Sequence, residues 1–315
     1  MMKLNVFQKT AIITVFATLF LILVGGLVRA AGAGLGCPDW PTCFGMWIPP
    51  TSLADLPAGF DASQFNVYNT WIEYVNRLVG VLIGLLITIT FVLSFRYRKT
   101  KPTVFYSSFA AFVLVLFQGW LGGVVVKTGL HAGMITAHML VAMVIITTLL
   151  YAAFEATSDL LKVRIEEHFR KKLLWTLWIL FGLSMIQLVL GTQVREAVDV
   201  IKNAAEVLPR GIWLESVGSV FPIHRSFSWL VIFAGAFLYY ILNKNKAEGL
   251  VLTLGRLNVL LVFAQVLIGV GLYYLDMPRV LQVLHLVGMA VMVCTQFLMI
   301  LVVSAGKSNT EDNKQ

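Results

Sequence analysis

Charge is what this sequence has least of. Asp, Glu, Lys and Arg make up 13% of its 315 residues, against 58% hydrophobic residues. A water-soluble domain carries roughly 25% charged residues, so a soluble globular fold is excluded. Cysteine is scarce too: the chain has three, and none lies in CxxC, CxxCH or zinc-ribbon spacing. That removes thioredoxin-like, c-type heme and structural-zinc readings. No polar break interrupts the middle of an apolar run, which speaks against a transporter with broken midplane helices. Acidic residues number 16 against 24 basic ones. The distribution of that excess makes it a topology signal, and no nucleic-acid partner is needed to explain it.

What the chain does have is long apolar runs. Eight are long enough to span a bilayer, which takes about 20 residues each. They lie near 10–30, 74–95, 104–126, 132–154, 173–194, 222–242, 251–274 and 280–304. The fold class is therefore all-α integral membrane, with membrane lipid as its surroundings. Lys3, Lys9, Arg96, Arg98, Lys99, Lys101, Lys162, Arg164, Arg170, Lys171, Lys172, Lys244, Lys246 and Arg256 all fall on one side of this threading. The other side is poor in Lys and Arg and carries Asp39, Asp55, Asp61, Glu196, Asp199, Glu206, Glu215 and Asp276. The positive-inside rule puts both termini in the cytoplasm of a plasma (inner) membrane protein. Residues 1–33 have the look of a signal peptide, but their apolar run exceeds the usual length of about 7–15 residues, so it reads as a retained span.

The chain also repeats itself. Gln118, Gly122 and His138 recur at the same spacing as Gln265, Gly269 and His285. Asn76-Arg77 matches His224-Arg225, and Gly25-Gly26-Leu27-Val28-Arg29 matches Gly191-Thr192-Gln193-Val194-Arg195. This internal repeat divides the chain into a half over 1–155, a basic linker over 156–170, a second half over 171–305 and a polar tail over 306–315. Each half carries a long outer loop, roughly 31–73 and 195–221, leading into the Asn76 or the His224 position.

An ionisable side chain inside a membrane span is a functional hypothesis by default. His138 and His285 lie roughly 10 Å below the starts of their helices, and His224 begins the helix that faces His285. Two imidazoles on alternate helices of one half suit the two faces of one porphyrin, so His224 and His285 are candidate heme-iron ligands. The first half offers His138 opposite Asn76, and asparagine is a poor iron ligand, which leaves that face open or weakly filled. His131 lacks a counterpart in the repeat and reads as a heme-edge or propionate contact or, in better accord with that lack, as an interfacial residue; His168 reads as solvated surface. Arg77 and Arg225 follow the ligand positions and suit the carboxylates of heme propionates. For Arg29 and Arg195, anchoring and snorkelling to headgroups are equally good accounts. Glu73, at or near the start of helix 2, is either a favourable charge at a helix N-terminus or a proton acceptor near an oxidised substrate.

Cys37 and Cys43 lie in Cys37-Pro38-Asp39-Trp40-Pro41-Thr42-Cys43 within the first outer loop. A static staple and a redox-active pair both fit this placement. The second loop lacks a matching pair, so the unit does not require a staple, and that favours the redox reading. Cys294 reads as an inert core residue.

Taken together, the Gly-Gly-x-x-Arg end of helix 1, the Cys-x5-Cys loop, Glu73-Tyr74-x-Asn76-Arg77, His224-Arg225 and the two Gln-x3-Gly-x15-His runs resemble the heme A synthase family over nearly the whole chain. The resemblance implies two pseudo-twofold-related four-helix bundles. It implies a resident heme b between His224 and His285, and heme O as substrate in the first bundle. The ring methyl of heme O would be oxidised there to a formyl group, giving heme A for terminal oxidases. By the same resemblance Glu73, Cys37 and Cys43 take part in catalysis, and heme O synthase and terminal oxidase assembly are partners; a homo-oligomer is compatible with it. Family members commonly have histidine where this chain has Asn76, so bis-histidine ligation of the substrate heme does not carry over. Some also have a second cysteine pair in the 195–221 loop. The rival readings are a non-catalytic membrane b-type cytochrome and a heme carrier. Ligands clustered toward one leaflet disfavour the first, and a transporter has no evident use for Cys37 and Cys43.

Overall fold

The computed structural model describes residues 4–161, 163–202 and 208–306. Lys3, Lys162, Glu206 and the tail beyond Gly306, all invoked above, lie outside them. The described residues form α1 (Val6–Ala31), α2 (Val67–Ser94), α3 (Pro102–Lys127), α4 (Ala132–Thr157), α5 (Glu167–Lys202), a short α6 (Trp213–Ser216), α7 (Val220–Lys244), α8 (Gly249–Tyr274) and α9 (Arg279–Ala305). All but α6 are long and apolar enough to cross a membrane. A helix of 26 residues is about 39 Å long, comfortably beyond the hydrocarbon thickness. The architecture is all-α and multi-pass.

Local chemistry sets the helix ends. Asn5 and Gln8 form a reciprocal capping box that opens α1, and Gly32 closes it in the left-handed conformation (φ 78°), where a side chain would be strained. Asn66 caps α2 by accepting the Asn69 N–H at 3.1 Å, and Pro102 begins α3, where its missing N–H costs nothing. Asp61, between α1 and α2, accepts the Ser63 N–H at 2.9 Å, and this hydrogen bonding holds its carboxyl below the usual carboxylate range.

Two helices run past their expected ends. The start of α2 is Val67, not residue 74, because the Asn66 cap sets it two turns earlier. Glu73 therefore sits well inside α2 rather than at its start. Helix α5 continues to Lys202 instead of stopping near 194. Its extra turns are amphipathic, with Val194 and Val198 buried against Trp213, Leu214 and Met277. Arg195 consequently lies about two turns before the helix end, and His224 lies one turn into α7.

Packing divides the chain into two compact units, Met1–Ala152 and Ala153–Gln315. In the first, α1 packs on α2 and α2 on α3. Thr14 and Thr90 meet at 2.8 Å across the α1–α2 seam, and both also bond the carbonyl one turn back, which satisfies hydroxyls where no water can. In the second unit Leu173, Leu177 and Leu180 of α5 form one stripe, packed with Leu238, Ile241 and Leu242 of α7 and with Met299, Ile300 and Val303 of α9. Polar glue runs through it. Gln296 donates to Ser184 at 3.0 Å, while Asn258 Nδ2 bonds the Thr295 carbonyl and Thr295 Oγ1 bonds Asn258 Oδ1. Such groups hold membrane helices together because lipid offers them no alternative partner. Phe16, Val81, Leu82, Trp175, Phe233 and Phe263 stay mostly exposed, the surface a lipid solvent requires.

Candidate heme and disulfide site

The loop between α1 and α2 is built around a disulfide, Cys37–Cys43, with Cα atoms 4.8 Å apart. Cys43 and Met46 exchange backbone hydrogen bonds at 2.9 and 3.2 Å. The turn between them puts both Phe44 (φ 54°) and Gly45 (φ 71°) in the left-handed region. A bulky residue rarely accepts that conformation. Here the Asp39 carboxylate holds the turn, accepting from the amides of Phe44 and Gly45 and from the Thr42 hydroxyl. The Phe44 ring is in turn buried edge-on against Phe60 and Phe65. The two half-cystines, Phe44, Leu56, Phe60, Phe65 and Tyr74 form a small core of their own.

Helix α2 grips this loop through Glu73 and Arg77, one turn apart. Glu73 is buried at 3% exposure. Its Oε2 accepts the Cys37 N–H at 2.9 Å, and its Oε1 accepts from both Nε and Nη2 of Arg77. The remaining guanidinium donors go to the carbonyls of Asp39 (2.8 Å), Thr42 (2.7 Å) and Cys37 (3.3 Å). A guanidinium has five N–H donors, and all are engaged. Arg77, expected to reach a propionate, is placed instead as a clamp on the disulfide loop. Thr70 completes the grip by donating to the Gly36 carbonyl at 2.8 Å. Gly36 is needed for this approach, because a Cβ there would collide with the Asn69 backbone.

Asn76 follows Glu73 on the same helix, turned toward α1. A Cβ on Gly25 would lie 3.9 Å from its Oδ1, and that oxygen is buried without a hydrogen-bond partner. On α4, His138 faces Gly122 of α3, whose Cβ would come within 3.5 Å of the ring. Next to Gly122, Gly123 packs against Trp40 of the disulfide loop so closely that a Cβ there would come within 2.9 Å of the indole. The loop and the His138 position thus share one turn of α3.

In the second unit the rings of His224 and His285 are 6.5 Å apart, centre to centre, and inclined at 79°. Glycines again face them: Gly191 lies beside His224 and Gly269 beside His285. The Nδ1 atoms of His138, His224 and His285 are all buried without a hydrogen-bond partner. Unpaired buried polar atoms are costly in lipid, so three of them on three imidazoles fit an acceptor site for a metal-bearing group. Two imidazoles on opposite sides of one metal ion, each nitrogen about 2 Å from it, have ring centres about 6 Å apart. The residues present thus fit a heme held by His224 and His285.

The arginines expected at propionates differ in placement. Arg225 is exposed, with its guanidinium 5.6 Å from the Phe221 ring centre. Arg195 bonds Gln282 at 2.9 Å and pairs with Asp199 at 2.9 Å, and Arg29 lies in the last turn of α1. His131 and His168 are exposed. Among the described residues no cluster of His, Cys, Asp and Glu forms a metal site of side chains alone. Two groups escaped the sequence reading. Asp39 has no role in the sequence reading beyond its charge and its place in the cysteine segment, although Asp and Gly are both turn formers and Asp39 and Gly45 flank Phe44. Gln187 was passed over, although Gln187-x3-Gly191 repeats the Gln118-x3-Gly122 spacing.

The sequence profile of the COX15-CtaA family, described as cytochrome oxidase assembly protein, matches residues 8–297. A protein of Orientia tsutsugamushi (strain Ikeda) named heme A synthase is 26% identical over 341 aligned positions, covering 92% of this chain and 93% of that protein. Another of that name, from Nitrosomonas eutropha, is 28% identical over 289 positions and 80% of each chain. A third, from Alkalihalophilus pseudofirmus, is 34% identical over 149 residues, and there the match spans only 45% of each chain.

Proposed function

The chain belongs to the COX15-CtaA family of cytochrome oxidase assembly proteins, and from that premise we propose that it is a heme A synthase, oxidising the ring methyl of heme O to a formyl group for use in terminal oxidases. Relatives of that name matched over 93% and 80% of their length support this reading. The observation that carries it is the 6.5 Å separation of the His224 and His285 rings, each with a buried, unpartnered Nδ1. These two histidines hold a resident heme b, which when bound supplies one-electron redox chemistry. His138 receives the iron of heme O, and Asn76 faces it from α2. Arg225, exposed at the end of α7, is the arginine available to a propionate; Arg77 serves the loop.

The chain's own residues have distinct tasks in this scheme. Gly122, Gly191 and Gly269 leave room for the imidazole rings. The apolar helices keep bulk water from the oxidised methyl. Cys37 and Cys43, oxidised in this structure, form a redox couple seated beside the His138 position through Trp40 and Gly123. Glu73 is the carboxylate between that couple and Asn76, where it takes up protons released by the oxidation and fixes the Cys37 amide. The repeat makes the two units versions of one heme-holding fold. Both termini face the cytoplasm and the disulfide loop faces outward from the plasma membrane. Heme O synthase is the natural donor of substrate, and the protein works singly or as a homo-oligomer.

The test is chromatography of hemes extracted from the protein purified from cells that make heme O. Heme A, or its hydroxylated precursor, beside heme B supports the synthase. Heme B alone, with heme O available, makes the protein a b-type cytochrome instead.

A further inference from the structure

Each of the three imidazoles with a buried Nδ1 stands near a glutamine. Gln118 Nε2 on α3 donates to the backbone carbonyl of His138 on α4 at 2.9 Å. Gln187 Nε2 on α5 donates to the backbone carbonyl of His224 on α7 at 3.0 Å, with the His224 ring nitrogen 3.5 Å from the same amide. Gln265 on α8 is buried, its amide against Gly288, one turn beyond His285 on α9. In every case the glycine that faces the ring follows the glutamine by four residues. One helical turn thus carries a grip on the histidine's helix and a notch for its ring.

The fourth position breaks this pattern in two places at once. Gly25 on α1 keeps the notch and faces Asn76. Four residues before it stands Leu21, which cannot donate a hydrogen bond, and across from it asparagine replaces histidine. A glutamine amide in a lipid-embedded helix is costly unless it is used. Its presence beside three histidines and its replacement by leucine beside the asparagine make the two residues a functional pair.

We propose that Gln118, Gln187 and Gln265 are positioning residues that fix helix depth and ring orientation for iron ligation, and that the Leu21–Asn76 position is a dismantled copy of the same device. The inference rests on the heme reading above. Its consequence is that α2 supplies no ligand to iron bound at His138, so one face of that heme stays open to a small exogenous ligand. The supporting shell around a ligating histidine is as much a part of the site as the ligand itself, and the paired substitution removes both.

The experiment uses the full-length protein loaded with ferric heme b, read by electron paramagnetic resonance and visible absorption. The wild type is expected to show a low-spin signal from the His224–His285 heme beside a high-spin signal that His138→Ala removes. Added imidazole should convert the high-spin signal to low-spin. Asn76→His alone should convert it in part, and Leu21→Gln with Asn76→His should convert it fully. The low-spin signal of the second unit serves as the folding control within each sample. Gln187→Leu should broaden and shift that signal, whereas Gln187→Glu, which keeps an acceptor but loses the donor, should not restore it. A wild type that is wholly low-spin with both hemes bound overturns the open face. A single Asn76→His that converts as completely as the double variant overturns the glutamine's role. Failure to bind heme at either unit would sink the underlying functional reading instead.

Discussion

Glu73 accepts the backbone N–H of Cys37 at 2.9 Å, so a carboxylate inside a membrane helix and one end of a disulfide share a hydrogen bond. Arg77 neutralises that carboxylate and holds three carbonyls of the same loop. One helical turn thus carries both a buried charge pair and the grip on the disulfide loop.

Glu73→Ala should leave the Arg77 cation largely buried and unpaired, a cost of about 3–5 kcal/mol for a buried pair broken on one side. The loop should loosen, and Cys37–Cys43 should be reduced faster by a small thiol. Mass-tagging of the freed thiols over time measures it, and unchanged reduction kinetics would show that Glu73 does not support the loop.

Asp39→Ala should remove three hydrogen bonds from a turn that places Phe44 at positive φ, costing about 1–3 kcal/mol. The effect should be confined to residues 32–66. Limited proteolysis is expected to cut that loop sooner while the helical circular dichroism stays as in the wild type.

Gly191→Ala would set a methyl 3.2 Å from the His224 ring, whereas Gly182→Ala, on the same helix with nothing within 4 Å, would meet open space. The first should lower heme affinity by about 10-fold or more, and the second should leave it alone. Pyridine hemochrome content of the two variants decides, and equal content would remove the notch from the account.

His285→Ala should abolish the resident heme while the helices persist. Cys37→Ser or Cys43→Ser should instead retain that heme and lower turnover at least about tenfold, equivalent to about 1.4 kcal/mol of barrier. Loss of the folded protein in the cysteine variants would make the disulfide a staple.

Much of the fold was legible because lipid imposes a simple rule: spans must be long, apolar and helical. The order of the eight spans follows from hydropathy alone, but their ends do not. Asn66 begins α2 by a side-chain cap ahead of the apolar run, and the last turns of α5 survive because Trp213, Leu214 and Met277, the last of them distant in sequence, cover them. The imidazoles were legible for the same reason as the spans, since ionisable residues stand out in apolar runs. The engagement of Arg77 was not. An arginine beside a ligand position suggests a propionate, and only the folded loop reveals carbonyls that claim its donors. Gln187 was readable by spacing but has no histidine at the x15 position on its own hairpin; its partner, His224, comes after the long connection.

The five engaged donors of Arg77 also set an order of synthesis. The loop leaves the ribosome before α2, and its carbonyls cannot be gathered until Arg77 follows them. Cys37 and Cys43 are therefore made before the two α2 side chains that seat their loop, and reach that seat only when the second span is in place. A chain interrupted between Phe65 and Arg77 would keep the Asp39 turn and the Phe44 packing but lack the Glu73 and Arg77 clamp, so the loop would be shaped without being seated.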